Sequence, residues 1–286
     1  MKTVTTVKEM RALTERWRRN GKTVALVPTM GALHDGHVSL IKAARAAAQR
    51  LVVSAFVNPT QFGPGEDLDK YPRDLKRDAR LAANEKADVL FAPASEEIYP
   101  AGFDTTVTVG TALTQTMCGL ARPHHFQGVT TVVAKLLAII RPHQAFFGQK
   151  DYQQTLVVKR LAADLNTGCE IVVLPTVREA DGLAKSSRNT FLSEEDRRVA
   201  GAIYQALKLA EGMLQVGERH PKELLEAVRK RLKSEPKLDL EYVVAKNADT
   251  LEDVLILSGR VLVAVAVHLG ATRLIDNVIV DVPSGS

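Results

Sequence analysis

The chain has 286 residues, 45% of them hydrophobic and 25% charged, with 38 Lys and Arg against 33 Asp and Glu and a formal net charge of +5. This composition is that of a globular chain and excludes collagen-like or disordered classes, and a chain of this length buries enough surface to need no covalent staple. Two cysteines without short spacing, Cys118 and Cys169, and no apolar run of bilayer length argue against a disulfide scaffold, a cysteine metal motif and a membrane span, and fit a reduced cytoplasmic setting.

The first residues, MKTVTTVKEMRALTERW, are charged and amphipathic and lack the apolar core of a signal peptide. Residues 7–19 have helical spacing, with Val7, Met10, Leu13 and Trp17 on one face, and Asn20-Gly21 is a stop signal. Residues 23–27 are a short apolar run suited to a buried parallel strand. Helix is predicted over 37–50 and strand over 51–57, followed by a loop at Asn58-Pro59-Thr60-Gln61-Phe62-Gly63. A helix over 74–85, strands at 89–91 and 105–109, and a helix over 126–140 come next. A strand at 145–147 leads through Gly148-Gln149-Lys150-Asp151 into a helix over 152–165 and a strand at 171–174.

This strand–helix alternation predicts an α/β fold, a Rossmann-like doubly wound parallel sheet that binds ligands at the C-terminal strand ends. After about residue 176 the texture changes. Ser193 reads as the N-cap of a helix running to 215, Pro221 starts a helix reaching 233, and strands are expected at 238–246, 261–268 and 274–282. The expected division is a nucleotide-binding domain at 1–176 and a smaller C-terminal α+β domain at 177–286.

The most informative stretch is TVALVPTMGALHDGHVSL, residues 23–40. A strand enters a helix through a turn of small residues, and His34 and His37 flank the helix start. Helix N-termini present unpaired N–H groups and partial positive charge, so this is an anion site suited to the phosphates of ATP. Imidazoles there donate to phosphate oxygens as they gain charge. GQKDYQQ (148–154) has two readings. It is either a polar helix start with a solvated Lys150, or a site where Lys150 meets phosphate and Gln154 orients a small polar substrate. KSSRN (185–189) is either a flexible basic loop or a mobile clamp on the triphosphate, with Arg188 able to make a two-point contact. Arg122-Pro123-His124-His125-Phe126 has no third ligand at metal spacing, which excludes zinc and leaves helix capping and substrate lining open. Cys118 has no partnered base and reads as structural. Lys and Arg are scattered along helical segments, so the positive balance suits a small anionic substrate and not nucleic acid.

PTMGALHDGH, NPTQF, YPRD, RPHHFQGV, FFGQKDYQQ and DGLAKSSRN occur here in one order and spacing, with RLIDN near the end. Together they resemble the pantoate–β-alanine ligase family of cytidylyltransferase-like nucleotidyltransferases, which shares its His-x-Gly-His element with class I aminoacyl-tRNA synthetases. The resemblance implies a two-step reaction. The (R)-pantoate carboxylate attacks the α-phosphorus of ATP to give pantoyl adenylate and pyrophosphate, and the β-alanine amine then displaces AMP to give pantothenate. It implies Mg2+ with the nucleotide, metal ligands unknown, and a homodimer.

By motif position, Met30, Gly31, Ala32, Leu33, His34, Asp35, Gly36 and His37 line ATP, with His37 matching the family's proton donor. Gly148, Gln149, Lys150, Asp151, Val177, Lys185, Ser186, Ser187 and Arg188 complete the nucleotide site, and His34, His37 and Lys150 carry the catalysis. Gln61 and Gln154 hold pantoate, and Gln61 also touches β-alanine. Neither step needs a protein nucleophile, and the water-labile adenylate calls for a lid, of which the 185–188 loop is the expected part. Lys185 stands where the family often has an apolar residue, so it is either an additional phosphate contact or a solvated side chain. The alternatives to this function are another nucleotidyltransferase of the superfamily and a non-catalytic ATP-binding module.

Overall fold

The computed structural model describes residues 1–283. It divides into two compact units, one of Met1–Gln149 with Gln153–Pro175, the other of Lys150–Tyr152 with the chain from Thr176 onward.

The first unit contains β1 (Lys2–Val4), α1 (Val7–Arg19), β2 (Val24–Thr29), α2 (Asp35–Ala47), β3 (Arg50–Ala55), α3 (Leu75–Asn84), β4 (Val89–Phe91), α4 (Ser95–Ile98), α5 (Thr111–Thr114), α6 (Cys118–Ala121), α7 (His125–Ile140), β5 (Gln144–Gly148), α8 (Tyr152–Asp164) and β6 (Glu170–Leu174), although the first residue of α8 groups with the second unit. The strands form one parallel sheet in the order β1-β4-β3-β2-β5-β6. Val24, Ala25, Leu26 and Val27 of β2 are at most 1% exposed, so the unbroken apolar run is that of a strand covered on both faces. Leu40, Ile41 and Ala44 of α2 pack with Leu51, Val53, Leu90 and Phe146 in one core cluster. The strand order reverses at β2, where β3 lies on one side and β5 on the other. Ligands of doubly wound sheets bind at that position.

Three details depart from the sequence expectation. The helix expected over 37–50 starts at Asp35 and ends at Ala47, because His34 caps it. The short β1 at the sheet edge has no periodicity to reveal it; it is recognised only by its pairing with β4. No strand forms over 105–109. Val107 bonds instead to threonine side chains of α7, donating its N–H to Thr131 Oγ1 at 3.0 Å and accepting from Thr130 Oγ1 at 2.5 Å. Its alternating pattern reflects packing on a helix and not a ladder.

The second unit holds α9 (Glu194–Gln215), α10 (Pro221–Lys233), β7 (Leu238–Asn247), β8 (Gly259–Leu269) and β9 (Thr272–Val282). The three strands are antiparallel in the order β7-β8-β9. Ser193 caps α9, accepting from Asp196 N at 3.1 Å. Ala200, Ile203, Leu207, Ala210 and Leu214 of α9 form the helical stripe that packs with Val261, Val263, Val265 and Val267 of β8. No helix among the described residues is long and apolar enough to cross a membrane.

Gly128 of α7 lies against the 3₁₀ turn Pro59–Gln61, where an added Cβ would stand 2.3 Å from Thr60 O and 2.6 Å from Gln61 N. Both obstacles are backbone, so they cannot rotate away. Gly128→Ala is therefore expected to lower stability by about 1–3 kcal/mol, the usual range for forcing a methyl into filled space. A fall in the urea midpoint reads this directly, and an unchanged midpoint would show that the turn yields.

Candidate active site

The turn from β2 into α2 is held by a buried carboxylate. Asp78 of α3 is 2% exposed. Its Oδ2 accepts from Ala32 N at 2.9 Å and its Oδ1 from Leu33 N at 2.8 Å. Gly31 and Ala32 both have positive φ, +81° and +48°. A Cβ on Gly31 would lie 2.9 Å from Asp78 Oδ2. The tight backbone path thus needs glycine for both conformation and space. Burial pushes the Asp78 carboxyl above its ordinary value, against the lowering effect of the two N–H donors and Arg77. Arg77 also donates to Leu33 O at 3.0 Å, and Gly31 N donates to Thr29 Oγ1 at 3.0 Å.

The two histidines cap α2 reciprocally. Gly36 N donates to His34 Nδ1 at 3.1 Å, and His34 N donates to His37 Nδ1 at 3.3 Å. Their ring centroids are 4.1 Å apart. A neutral imidazole that accepts at Nδ1 carries its proton on Nε2. Both rings are thereby set as Nε2–H donors beside the positive end of a helix, with His34, Gly36 and His37 half-buried and Asp35 exposed.

The next strand end positions Gln61. Asn58 is 1% exposed and uses its whole amide: Nδ2 donates to Gln61 Oε1 and Gly128 O, both at 3.1 Å. Asn58 Oδ1 accepts from Thr60 Oγ1 at 2.9 Å and Tyr99 OH at 2.7 Å. Gln61 Nε2 contacts Met30 Sδ at 3.0 Å, which joins this loop to the β2 turn. The Gln61 carbonyl accepts from Arg122 Nη2 at 3.1 Å and from His125 Nδ1 at 2.9 Å. Arg122 is paired in turn with both oxygens of Glu66. Arg122 and His125, left open between capping and lining, thus hold the backbone of Gln61.

Gly148 ends β5 and Gln149–Asp151 form a 3₁₀ turn after it, with Lys150 Nζ 3.6 Å from Asp151 Oδ1. Gln154 is half-buried in the first turn of α8, whereas the adjacent Gln153 is buried and bonds the backbone at Leu113, Thr116 and Cys118. Met30–His37, Gln61, Gly148, Gln149 and Gln154 therefore all lie in the first unit, on the loops and helix start that follow β2, β3 and β5.

Lys150, Asp151, Val177 and Lys185–Arg188 belong to the second unit. There residues 177–185 form a hairpin, with Lys185 N donating to Val177 O at 2.9 Å and Glu179 N to Leu183 O at 2.8 Å. Its Asp181-Gly182 turn needs glycine, at φ +92°, with Tyr204 Cδ1 2.2 Å from an added Cβ. Arg197 pairs with Asp181 and with Glu179, and its hydrogen bonds hold the Asp181 carboxyl below its ordinary value. Lys185 Nζ lies 3.8 Å from Glu179 Oε2. Ser186 accepts from Arg188 N at 3.3 Å and caps the 3₁₀ turn Ser187–Phe191. The basic loop is thus anchored at its base by a hairpin and beyond it by a capped turn.

Asn58, Asp78 and Glu66 were not singled out in the sequence. Asp78 leaves one trace: it stands four residues before Ala82, on the buried stripe of an otherwise charged helix.

The family model described as Pantoate-beta-alanine ligase matches residues 2–279. The pantothenate synthetase of Moorella thermoacetica is 50% identical over 282 residues, 99% of each chain. That of Geobacter sulfurreducens is 49% identical over 277 residues, 97% of this chain and 98% of its own. The crystal structure of pantothenate synthetase from Thermus thermophilus superposes with a TM-score of 0.93 at 45% identity, covering 97% of this chain and 99% of its own. The pantoate-beta-alanine ligase of Francisella tularensis, in complex with beta-gamma ATP and beta-alanine, gives 0.81 at 34% identity, covering 98% and 97%.

The Glu66–Arg122 pair carries a pH signature. Burial pushes the Glu66 carboxyl up, but the Arg122 hydrogen bonds and charge outweigh it and leave the group below its ordinary value. A depressed carboxyl contributes stability that is fully present above its unfolded pKa and is lost as pH falls through the folded one. On urea titration from pH about 6 down to about 3, the wild-type midpoint should fall more steeply than that of Glu66→Gln. Parallel curves would remove Glu66 from the acid response.

Proposed function

The chain belongs to the pantoate–β-alanine ligase family, and we propose that the loops after β2, β3 and β5 hold its substrates, with His34 and His37 on the α-phosphate of ATP. The activity is the ATP-dependent condensation of pantoate with β-alanine to pantothenate through an acyl-adenylate. The observation that supports the histidine roles is the paired Nδ1 acceptance, which makes each ring an Nε2–H donor beside a helix N-terminus.

Adenylation is an in-line displacement at phosphorus. A pantoate carboxylate oxygen bonds to the α-phosphorus as the bond to the bridging oxygen breaks and pyrophosphate leaves. Protein catalysis of such a step consists of positioning and charge stabilisation. In this reading the Nε2–H groups of His34 and His37 and the ammonium of Lys150 meet the charge that develops on phosphate oxygens. Gln61 and Gln154 hold pantoate, and Gln61 also meets β-alanine. Gln61 suits the part because its amide and its carbonyl are both fixed, by Asn58 and by Arg122 and His125. In the second step the β-alanine nitrogen bonds to the acyl carbon, AMP departs and the amine loses a proton. Met30–Leu33, Asp35, Gly36, Gly148, Gln149, Asp151, Val177, Ser186, Ser187 and Arg188 complete the nucleotide contacts. Lys185 joins them by exchanging its pairing with Glu179 for phosphate.

Magnesium enters this reading with the triphosphate. Mg2+ prefers phosphate oxygens, water and one or two carboxylates. The half-buried Asp151 fits that donor set, whereas Asp78 does not, because both its oxygens are taken by backbone N–H groups. Glu218, His220 and Glu223 could also group around a cation, but Glu218 Oε1 already accepts the N–H groups of Arg219 and His220. When bound, the ion would neutralise the departing pyrophosphate.

The assembly in this reading is a homodimer in the cytoplasm. The edge strand β6 supports pairing, since Ile171, Val172, Val173 and Leu174 are apolar yet only half-buried. The cytoplasmic assignment is supported by Cys118 and Cys169 not being disulfide-bonded, with burial pushing the Cys169 thiol up to about 12.

His37→Ala is expected to lower kcat by about 10²–10³, the scale of one transition-state donor. The matching assay is exchange of labelled pyrophosphate into ATP, which should require pantoate and should not respond to a phosphorylated alcohol. A near-wild-type rate removes His37 from the mechanism, and exchange without pantoate removes the adenylation role. Sedimentation equilibrium should give twice the 31.2 kDa chain mass. Substituting Val172 by Lys should shift it toward the single mass, and an unshifted dimer would place the interface elsewhere.

A further inference from the structure

The motif RLIDN at residues 273–277 has no part in the chemistry described so far, yet Asp276 and Asn277 are each 3% exposed. Asp276 forms a two-point pair with Arg178, Oδ2 to Nη1 at 2.5 Å and Oδ1 to Nη2 at 3.1 Å. Asp276 Oδ1 also accepts Asn277 N at 2.8 Å. Arg178 goes on to donate to Gly182 O at 3.1 Å and to Asn277 O at 3.3 Å, and its guanidinium lies 3.9 Å from the centre of the Tyr204 ring. The far end of this chain of contacts is Asn277 Nδ2, which donates to Lys150 O at 2.9 Å.

A buried ion pair is a weak source of net stability, because desolvating both charges offsets their attraction. Its clearer effect is geometric: a forked guanidinium opposite a carboxylate fixes distance and direction. Here the fixed elements are the turn of the 177–185 hairpin, strand β9 and the backbone of Lys150. A flexible four-carbon side chain places its ammonium reproducibly only if its own backbone is held.

We propose that Asn277 is a positioning residue for adenylation. It holds the Lys150 carbonyl, and the Asp276–Arg178 pair holds Asn277 and the hairpin that leads into Lys185–Arg188 in one register. The contact sets the stand from which Lys150 reaches the triphosphate, so its loss falls on ATP and not on pantoate. This rests on the reading above, in which Lys150 meets the nucleotide.

The test is a double-mutant cycle in the pantoate-dependent exchange assay, using the full chain. Asn277→Asp keeps the size of the side chain but replaces the donor by an acceptor facing the Lys150 carbonyl. It is expected to lower kcat/KM for ATP by about 10- to 100-fold, the scale of a small misplacement. KM for pantoate should stay within about twofold, and in a Lys150→Met background the same change should have no further effect beyond about twofold. A general loss of folding would move both substrates and would add to Lys150→Met. If Asn277→Asp does not fold, Asn277→Ala removes the donor without adding charge and carries the same expectations. Wild-type kinetics in the Asn277 variant, or an equal loss in both backgrounds, overturns the proposal while leaving the role of Lys150 intact. Wild-type kinetics in Lys150→Met removes Lys150 from the reaction and the proposal with it.

Discussion

Asp78 gives both oxygens of a buried carboxylate to two successive backbone N–H groups, Ala32 and Leu33. That commitment fixes the exit of β2. The chain can pass so close to the carboxylate only through Gly31, and it leaves in a direction that puts His34 at the N-cap of α2. The caps, the tautomers and the placing of both imidazoles all follow from it. An asparagine there would offer one acceptor and a donor to two donors, so the clamp depends on charge as well as shape.

The same economy recurs on the next loop. Asn58 bonds in four directions, to Gln61, Gly128, Thr60 and Tyr99. Gly128 lets α7 approach so closely that its backbone takes part. The side chains proposed to meet substrate are thus held by buried polar groups one layer behind them. Buried polar networks of this kind specify one geometry when every member is satisfied.

The sheet and its helices were legible because their signals are local. The apolar run of β2, the 3.6-residue stripe of α9 and the Ser193 cap each declare themselves within one element. His34 and His37 were legible because strand, glycine turn and helix start are adjacent in the chain. Asp78, Asn58 and Arg122 were not, because their partners lie 46, 70 and 56 residues away. Their roles arise from tertiary contacts that no window can contain. The failed strand at 105–109 has the same origin, since two threonines of α7 supply the partners that alternation assigned to a ladder.

The reciprocal cap also ties the two rings mechanically to the helix they begin. His34 Nδ1 accepts the Gly36 N–H of α2 and His37 Nδ1 accepts the N–H of the N-cap residue His34, so each neutral ring turns its Nε2–H edge away from the backbone. Swinging either ring away from its rotamer would break one of these caps, so the rings and the start of α2 move as one unit.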